Sequence, residues 1–306
     1  MRSEVWPSGS PAAWHDEVVM HVPVDVAERA RAAATAHDVD ALVPVGGGST
    51  TGLAKAIALT TGRPIVAVPT TYAGSEATNV WGLTDAGRKT TGSDGRVLPR
   101  AVVYDASLTL GLPVPMSVAS GLNALAHCVD SLWAPRADPI NAALAGEGIR
   151  ALNARLPAVA ADPTGLPGRE QTLYGAYLAA VAFASADSGL HHKICHVLGG
   201  LFDLPHAQTH AVVLPHVLAL NAPAAPEVEQ RIAAAFAAHS ASEGLAALRA
   251  ALDAPIALRD YGMPRDGIAS AVEAILAATP PDNPVPVTPD NLTALLDAAW
   301  EGAPSR

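Results

Sequence analysis

DALVPVGGGSTTGLAKAIALTTG, residues 40–62, sets the architecture of the chain's first third. DALVPV (40–45) is a short apolar run closed by glycines, the pattern of a strand covered on both faces. TTGLAKAIALTTG (50–62) carries apolar residues at helical spacing and stops at Gly62. GGGSTTG (46–52) therefore joins a strand end to a helix start. Glycines let backbone approach a phosphate closely, and the first helical turn offers unpaired N–H groups and a positive dipole end. Ser49, Thr50 and Thr51 add hydroxyls. An ordinary tight turn has the same local look, because the pattern is neither G-x-G-x-x-G nor a Walker A loop.

Outward from this turn, PIVAVPT (64–70) and LPRAVVYD (98–105) repeat the buried-strand pattern. Strands alternating with helices predict a mostly parallel, doubly covered sheet. PTTYAGSEATN (69–79) leaves the second strand at its carboxyl end, where open α/β sheets place ligands. Gly46, Gly47, Gly48, Ser49, Thr70, Thr71 and Ser75 are thus the candidate cofactor-binding residues. Glu76 reads equally as a hydrogen-bonding support or a substrate contact.

Beyond Leu112 the strand signal ends. Ala and Leu at helical periods predict helices at 115–133, 139–160, 168–187, 191–202, 226–239, 241–252, 265–278 and 290–300, punctuated by prolines. The predicted fold is an α/β, Rossmann-like dinucleotide-binding domain (1–112) followed by an all-helical domain (113–306). With half of its 306 residues apolar and 16% charged, the chain has material for a sizeable core. A net charge of −10 without a basic cluster argues against nucleic acid and against an anionic membrane surface. Cys128 and Cys195 form no C-x-x-C pair, which fits a reducing cytoplasm. No secretory h-region opens the chain, and the apolar run within Thr172–Ala186 is too short for a bilayer.

SGLHHKICHVLGGLFDLPHAQTH (188–210) holds five of the eleven histidines. His192 and His196 are four apart, as are Asn123 and His127, so each pair shares one helical face. Two such faces, with His206 beyond them, can surround a small anion. His191 and His210 read as structural, His216 as capping or packing, and His15, His21, His37 and His239 as surface residues. Cys195 reads as a small buried residue rather than a nucleophile.

Together, GGGSTTGLAKAIAL, PIVAVPTTYAGSEAT, GRKTTG, SGLNALAHCVDSLWAP and GLHHKICHVLGGLFDLPHAQTHAVVLPH resemble the iron-containing (group III) alcohol dehydrogenase superfamily, and within it the maleylacetate reductases. The resemblance runs from about Val18 to the C-terminus. It implies an active site between the two domains and a homodimer. It also implies NADH- or NADPH-dependent reduction of maleylacetate to 3-oxoadipate, a step in breakdown of aromatic compounds. Metal-dependent members bind their ion through one Asp and three His, which match Asn123, His127, His192 and His206 here. His196 matches a position that relays protons. A neutral amide oxygen is a poorer partner for a dication than a carboxylate, so the resemblance favours metal-free chemistry. Three imidazoles can still hold zinc, which keeps Zn or Fe at His127, His192 and His206 as the alternative.

The implied chemistry is hydride addition to an electron-poor alkene, with charge developing on the conjugated ketone oxygen. Cationic or donor imidazoles stabilise that charge and deliver the proton. Asn123, His127, His192, His196, His206 and Lys193 form the expected catalytic set. Lys193, and more weakly Tyr72, Arg88 and Lys89, are expected to meet substrate carboxylates. Gln208 stands where relatives often carry Glu, which points to a changed substrate. Relatives also place a strand–helix–strand segment before the VPVDVAERARAAA helix; about 17 residues precede Val18, fewer than the roughly 30 of a β–α–β unit. A late gene start, a natural short form, or a homologue with cofactor-independent lyase, isomerase or cyclase activity would each account for that expectation.

Overall fold

The computed structural model describes residues 11–85 and 88–305. Strands β1 (Val45–Gly46), β2 (Val66–Pro69) and β5 (Ala101–Val102) form a parallel sheet in the order β1–β2–β5. Val45 lies opposite Val68, and Val66 opposite Ala101. The strands are shorter than the apolar runs suggest. Pro44, Pro64, Pro69 and Pro99 bound them, and a proline has no N–H for the ladder.

Helix α2 (Gly48–Thr61) covers the sheet, and helix α1 (Val24–Ala36) packs on its outer side. α2 is apolar on two sides because it is sandwiched. Leu53 and Ile57 meet Val26, Ala27 and Ala30 of α1, while Ala54 and Ala58 meet Ile65 and Ala67 of the sheet. An antiparallel hairpin, β3 (Val80–Asp85) and β4 (Arg88–Ser93), runs from the pair Val80–Ser93 to Asp85–Arg88 and packs against the helical half. This hairpin had no sequence expectation, since its polar and glycine content hides any alternation.

All helices expected beyond Leu112 form, as α3 (Val114–Ser131), α4 (Pro139–Ala161), α5 (Leu166–Ala186), α6 (Leu190–Phe202), α8 (Pro226–Phe236), α9 (Ala241–Ala251), α10 (Ile268–Ala278) and α11 (Pro289–Glu301). One was missed: α7 (His206–Asn221) begins after Pro205 and contains Pro215, and prolines obscured it. This Rossmann-like sheet domain and the helical domain behind it are the predicted fold class. Among the described residues, no helix is long and apolar enough to cross a membrane.

α3 is the axis of the helical half. Every residue from Ser117 to Ser131 is buried, so this helix is enclosed on all sides rather than amphipathic. α4, α5 and α7 surround it, with Leu122, Leu125, Ile149, Leu152 and Leu156 fully buried between them. A second core joins α6, α7, α10 and α11 through Leu190, Ile194, Leu198, Val213 and Leu296. α4 and α5 approach closely at Gly175, where an added Cβ would lie 3.0 Å from Leu152 Cγ. Truncation by Leu152→Ala should lower unfolding free energy by about 2–5 kcal/mol. Urea denaturation would show this as a lower midpoint at unchanged slope; a loss below about 1 kcal/mol would mean that the α4–α5 contact closes around the gap.

Candidate active site

A cleft of about 580 Å3 separates the two halves, within the ordinary range for small-molecule sites. One wall is the glycine turn with the loop after β2: Gly47, Gly48, Ser49, Thr71 and Ser75 line it. The turn fits a phosphate. Gly47 caps α2 without any side-chain hydrogen bond, which leaves the first-turn N–H groups available. A Cβ on Gly47 would lie 2.9 Å from Thr71 Cγ2, and one on Gly46 would strike Thr50. Gly46 and Thr70 are behind the wall rather than in it, since Thr70 N–H donates to Gly46 O at 3.0 Å in the sheet end. That bond makes them part of the support of the turn.

The opposite wall gathers Asn123, His127, His192, His196 and His206. Asn123, His127 and Asp130 follow one another by four and three residues on α3 and so share its inner face. His127 stacks on Phe183 at 4.7 Å and on His192 at 4.9 Å between ring centroids. His196 is 6.1 Å from His192 and 6.3 Å from His206.

Asp130 went unnoticed in the sequence, and it organises this wall. Its buried carboxylate accepts backbone N–H from Gly189 at 2.9 Å and from His191 at 3.3 Å, capping α6 from another helix. It also lies 2.7 Å from His192 Nδ1, with both side chains almost wholly buried. Gly189 is obligatory there, because a Cβ would fall 2.5 Å from Asp130 Oδ1. Burial pushes the Asp130 carboxyl up; attraction to His191 and the backbone N–H groups oppose it. Burial, followed by repulsion from His127 and Lys193, holds His192 well below its ordinary value. With Asp130 ionised and His192 neutral, Nδ1 carries the proton and Nε2 keeps a lone pair. Among the described residues that Nε2 has no hydrogen-bond partner, nor do Asn123 Oδ1 and His127 Nδ1.

Behind the wall, His191 Nε2 and His210 Nδ1 share a 2.9 Å hydrogen bond, and Cys195 Sγ lies 3.7 Å from His191 Nε2. Lys55 is a second unanticipated residue. Its fully buried Nζ donates to Thr78 O, Thr78 Oγ1 and Val80 O at 2.8–2.9 Å. Burial pushes its ammonium down to about 7, against attraction from Glu76. It thereby anchors Thr78 and Val80, which line the cleft. Glu76 is buried and accepts from Tyr104 OH at 3.0 Å, a support rather than a substrate contact.

Two expectations are overturned. Tyr72 is fully buried in the helical core, with its hydroxyl 3.4 Å from Arg169 Nη1, and cannot meet a carboxylate. His21 is no surface residue: its side chain is 6% exposed, lines the cleft, and places Nε2 3.2 Å from Leu204 O. Lys193 opens into a smaller adjoining chamber. The side chains of Arg88 and Lys89 lie outside what the structure describes.

The resemblance places a metal at Asn123, His127, His192 and His206, and these donors do not fit one as they stand. They include no carboxylate, and His127, His192 and His206 do not close to within 4.8 Å of one another. Among the described residues only His191, Cys195 and His210 bring three ligand atoms that close. All three are buried, and His191 and His210 already share a hydrogen bond.

A glycine turn aimed across a cleft at a wall of imidazoles defines a nicotinamide-dependent oxidoreductase of the Rossmann-plus-helical kind. The chain belongs to the iron-containing alcohol dehydrogenase family: the iron-containing alcohol dehydrogenase model matches residues 4–106, and that for the family's C-terminal part matches residues 117–300. Within it, the chain falls with the maleylacetate reductases. It is 50% identical to the maleylacetate reductase of Sphingobium indicum over 94% of this chain and 82% of that one. Among solved structures, an iron-containing alcohol dehydrogenase from Corynebacterium glutamicum is 66% identical, with a TM-score of 0.94 over 97% of this chain and 84% of that one. A maleylacetate reductase from Agrobacterium tumefaciens is 44% identical, with a TM-score of 0.89 over 95% and 83%.

Two outcomes follow from the buried groups. Asp130→Asn offers His192 an amide that cannot serve both ring and backbone as the carboxylate does. Steady-state kinetics should show kcat reduced about 10–100-fold with nicotinamide affinity unchanged; an unaltered kcat would remove Asp130 from the site's machinery. Burial also holds His127, His191 and His216 at about 4, 3 and 4 and keeps His210 well below 6.5. In the unfolded chain these rings take up protons near 6.5. The unfolded state thus binds more protons below that pH. Stability is complete above it and falls as the solution is acidified toward 4, by roughly 1.4 kcal/mol per ring per pH unit. Calorimetry should show a melting temperature that drops steeply from pH 6.5 to 5, whereas a flat profile would mean that the rings are charged in the native state.

Proposed function

We propose that the chain reduces the conjugated C=C bond of maleylacetate with NADH or NADPH, without a metal, to give 3-oxoadipate. One observation carries this reading: a single cleft joins a phosphate-fitting glycine turn to an imidazole wall whose carboxylate, Asp130, faces away from the cavity. Gly47, Gly48, Ser49, Thr71 and Ser75 would hold the dinucleotide. When bound, the reduced nicotinamide supplies the hydride.

The protein's own groups handle the anion and the proton. His127 and His192 are neutral in the free protein, so neither ring carries a charge before substrate arrives. A dianion raises the pKa of nearby imidazoles and brings a proton with it. Protonated at Nε2, His192 has its positive charge balanced by Asp130 at Nδ1 and can donate to the developing enolate. Asn123 and His127 orient the substrate, while His196 and His206 link this position to the cleft mouth. Phe183, stacked on the His127 ring and tilted against the His192 ring at 4.2 Å, excludes water. The reading includes a homodimer, by family resemblance, and a reducing cytoplasm, where the buried thiols of Cys128 and Cys195 persist.

Incubation of the full chain with maleylacetate and either reduced nicotinamide, followed by nicotinamide absorbance and NMR of the product, tests the reading. The expected result is one 3-oxoadipate per nicotinamide oxidised, unchanged after exhaustive treatment with a chelator. No turnover, or activity restored only by added iron or zinc, overturns it.

A further inference from the structure

A chamber of about 140 Å3 adjoins the main cleft and shares Val80, Thr91, Phe183 and His196 with it. Phe183 is the partition. Its ring lies 4.2 Å from that of His192 and 4.7 Å from that of His127 on the cleft side, and it lines the chamber on the other. A ligand lying on the imidazole wall therefore reaches the chamber by passing one phenyl ring.

The chamber's chemistry differs from that of the cleft. Arg136 and Lys193 line it, with hydroxyls from Ser93 and Ser188. Its one acid, Asp187, is already engaged: it accepts the Ser188 N–H at 2.8 Å and lies 3.5 Å from Arg136. Among the described residues Lys193 makes no salt bridge, so one positive charge is left uncompensated beside the imidazoles. In a chain of net charge −10, a positive recess opening onto the candidate active site calls for an anionic ligand group.

We propose that this chamber is a carboxylate subsite, in which Lys193 and Arg136 hold the acetic-arm carboxylate of an oxo-dicarboxylate and make the enzyme select diacids over monoacids. The assignment rests on the maleylacetate reading above. The alkene carbon that accepts hydride bears the first carboxylate, so that end faces the nucleotide wall. The arm beyond the ketone then points away from it, past Phe183. Lys193 is a compact point charge, whereas Arg136 can bridge Asp187 and the ligand at once.

The test compares maleylacetate with 4-oxopent-2-enoate, which lacks only the acetic-arm carboxylate, in wild type, Lys193→Met, Arg136→Met and the conservative Lys193→Arg and Arg136→Lys. A charge-assisted hydrogen bond is worth about 1.5–3 kcal/mol, so each Met variant should raise KM for maleylacetate roughly tenfold or more. The expected pattern confines the KM loss to maleylacetate, leaves the monoacid KM and nicotinamide affinity unchanged, and restores part of the loss in the conservative variants. Equal losses for both substrates, or weakened nicotinamide binding, overturn the assignment. Calorimetry with adipate and hexanoate on the same proteins requires no turnover. A wild type that binds adipate over hexanoate, with that preference lost in the Met variants, supports the subsite even if it reduces nothing, and the reductase reading alone would then fail. A wild type that binds both alike sinks the subsite whatever the turnover.

Discussion

The Asp130 carboxylate is the contact on which the rest of the site depends. α3 is enclosed on every side, and a charge within it must be answered on all its lone pairs or cost several kcal/mol. Asp130 is answered by two backbone N–H groups at the start of α6 and by the His192 ring. One interaction thus caps a helix, fixes its rotation against α3 and selects the nitrogen that His192 presents to the cleft. The adjoining turn is shaped around it. Asp187 adopts a left-handed φ of 73° at the end of α5, and Gly189 leaves no side chain in the carboxylate's path. The local strain at Asp187 is the cost of bringing α6 in at that angle.

The imidazoles around this contact divide by depth. His127 and His192 line the cleft, while His191 and His210 bond each other one layer further in. The inner pair keeps the outer rings in place with groups that can accept or donate as needed. All four are buried and neutral, so the wall has a low dielectric. Any charge formed there interacts strongly with the few dipoles present. Such a wall can respond to an arriving anion by taking up a proton.

The fold was largely legible in the sequence, and the site only in part. Helices such as Val114–Ser131 and Pro139–Ala161 announced themselves through apolar periodicity and flanking prolines. The same residue hid His206–Asn221, where Pro215 sits inside a helix that tertiary packing holds together. The β3–β4 hairpin was invisible because Gly82, Gly92 and its threonines carry no alternating pattern. His127, His192, His196 and His206 could be read as a group from spacing and resemblance. Asp130 and Lys55 could not, since each looked like one charge in an apolar helix, and its meaning lies in partners 59 and 23 residues away. Tyr72 was misassigned for the converse reason: an aromatic hydroxyl in a ligand-side loop can turn inward, and here it accepts from the buried Arg169.

The positive recess around Lys193 and Arg136 has a bearing on traffic into the enzyme. The chain as a whole carries −10, and both the dinucleotide and an oxo-dicarboxylate are anions, so the long-range field repels what the cleft must admit. Dissolved salt shortens the reach of that field to about 8–10 Å near physiological ionic strength, while contacts inside a partly enclosed chamber are screened far less. Encounter should therefore quicken as salt is added, the reverse of the behaviour of an electrostatically steered enzyme. A cell's ordinary ionic strength would act here as an aid to capture.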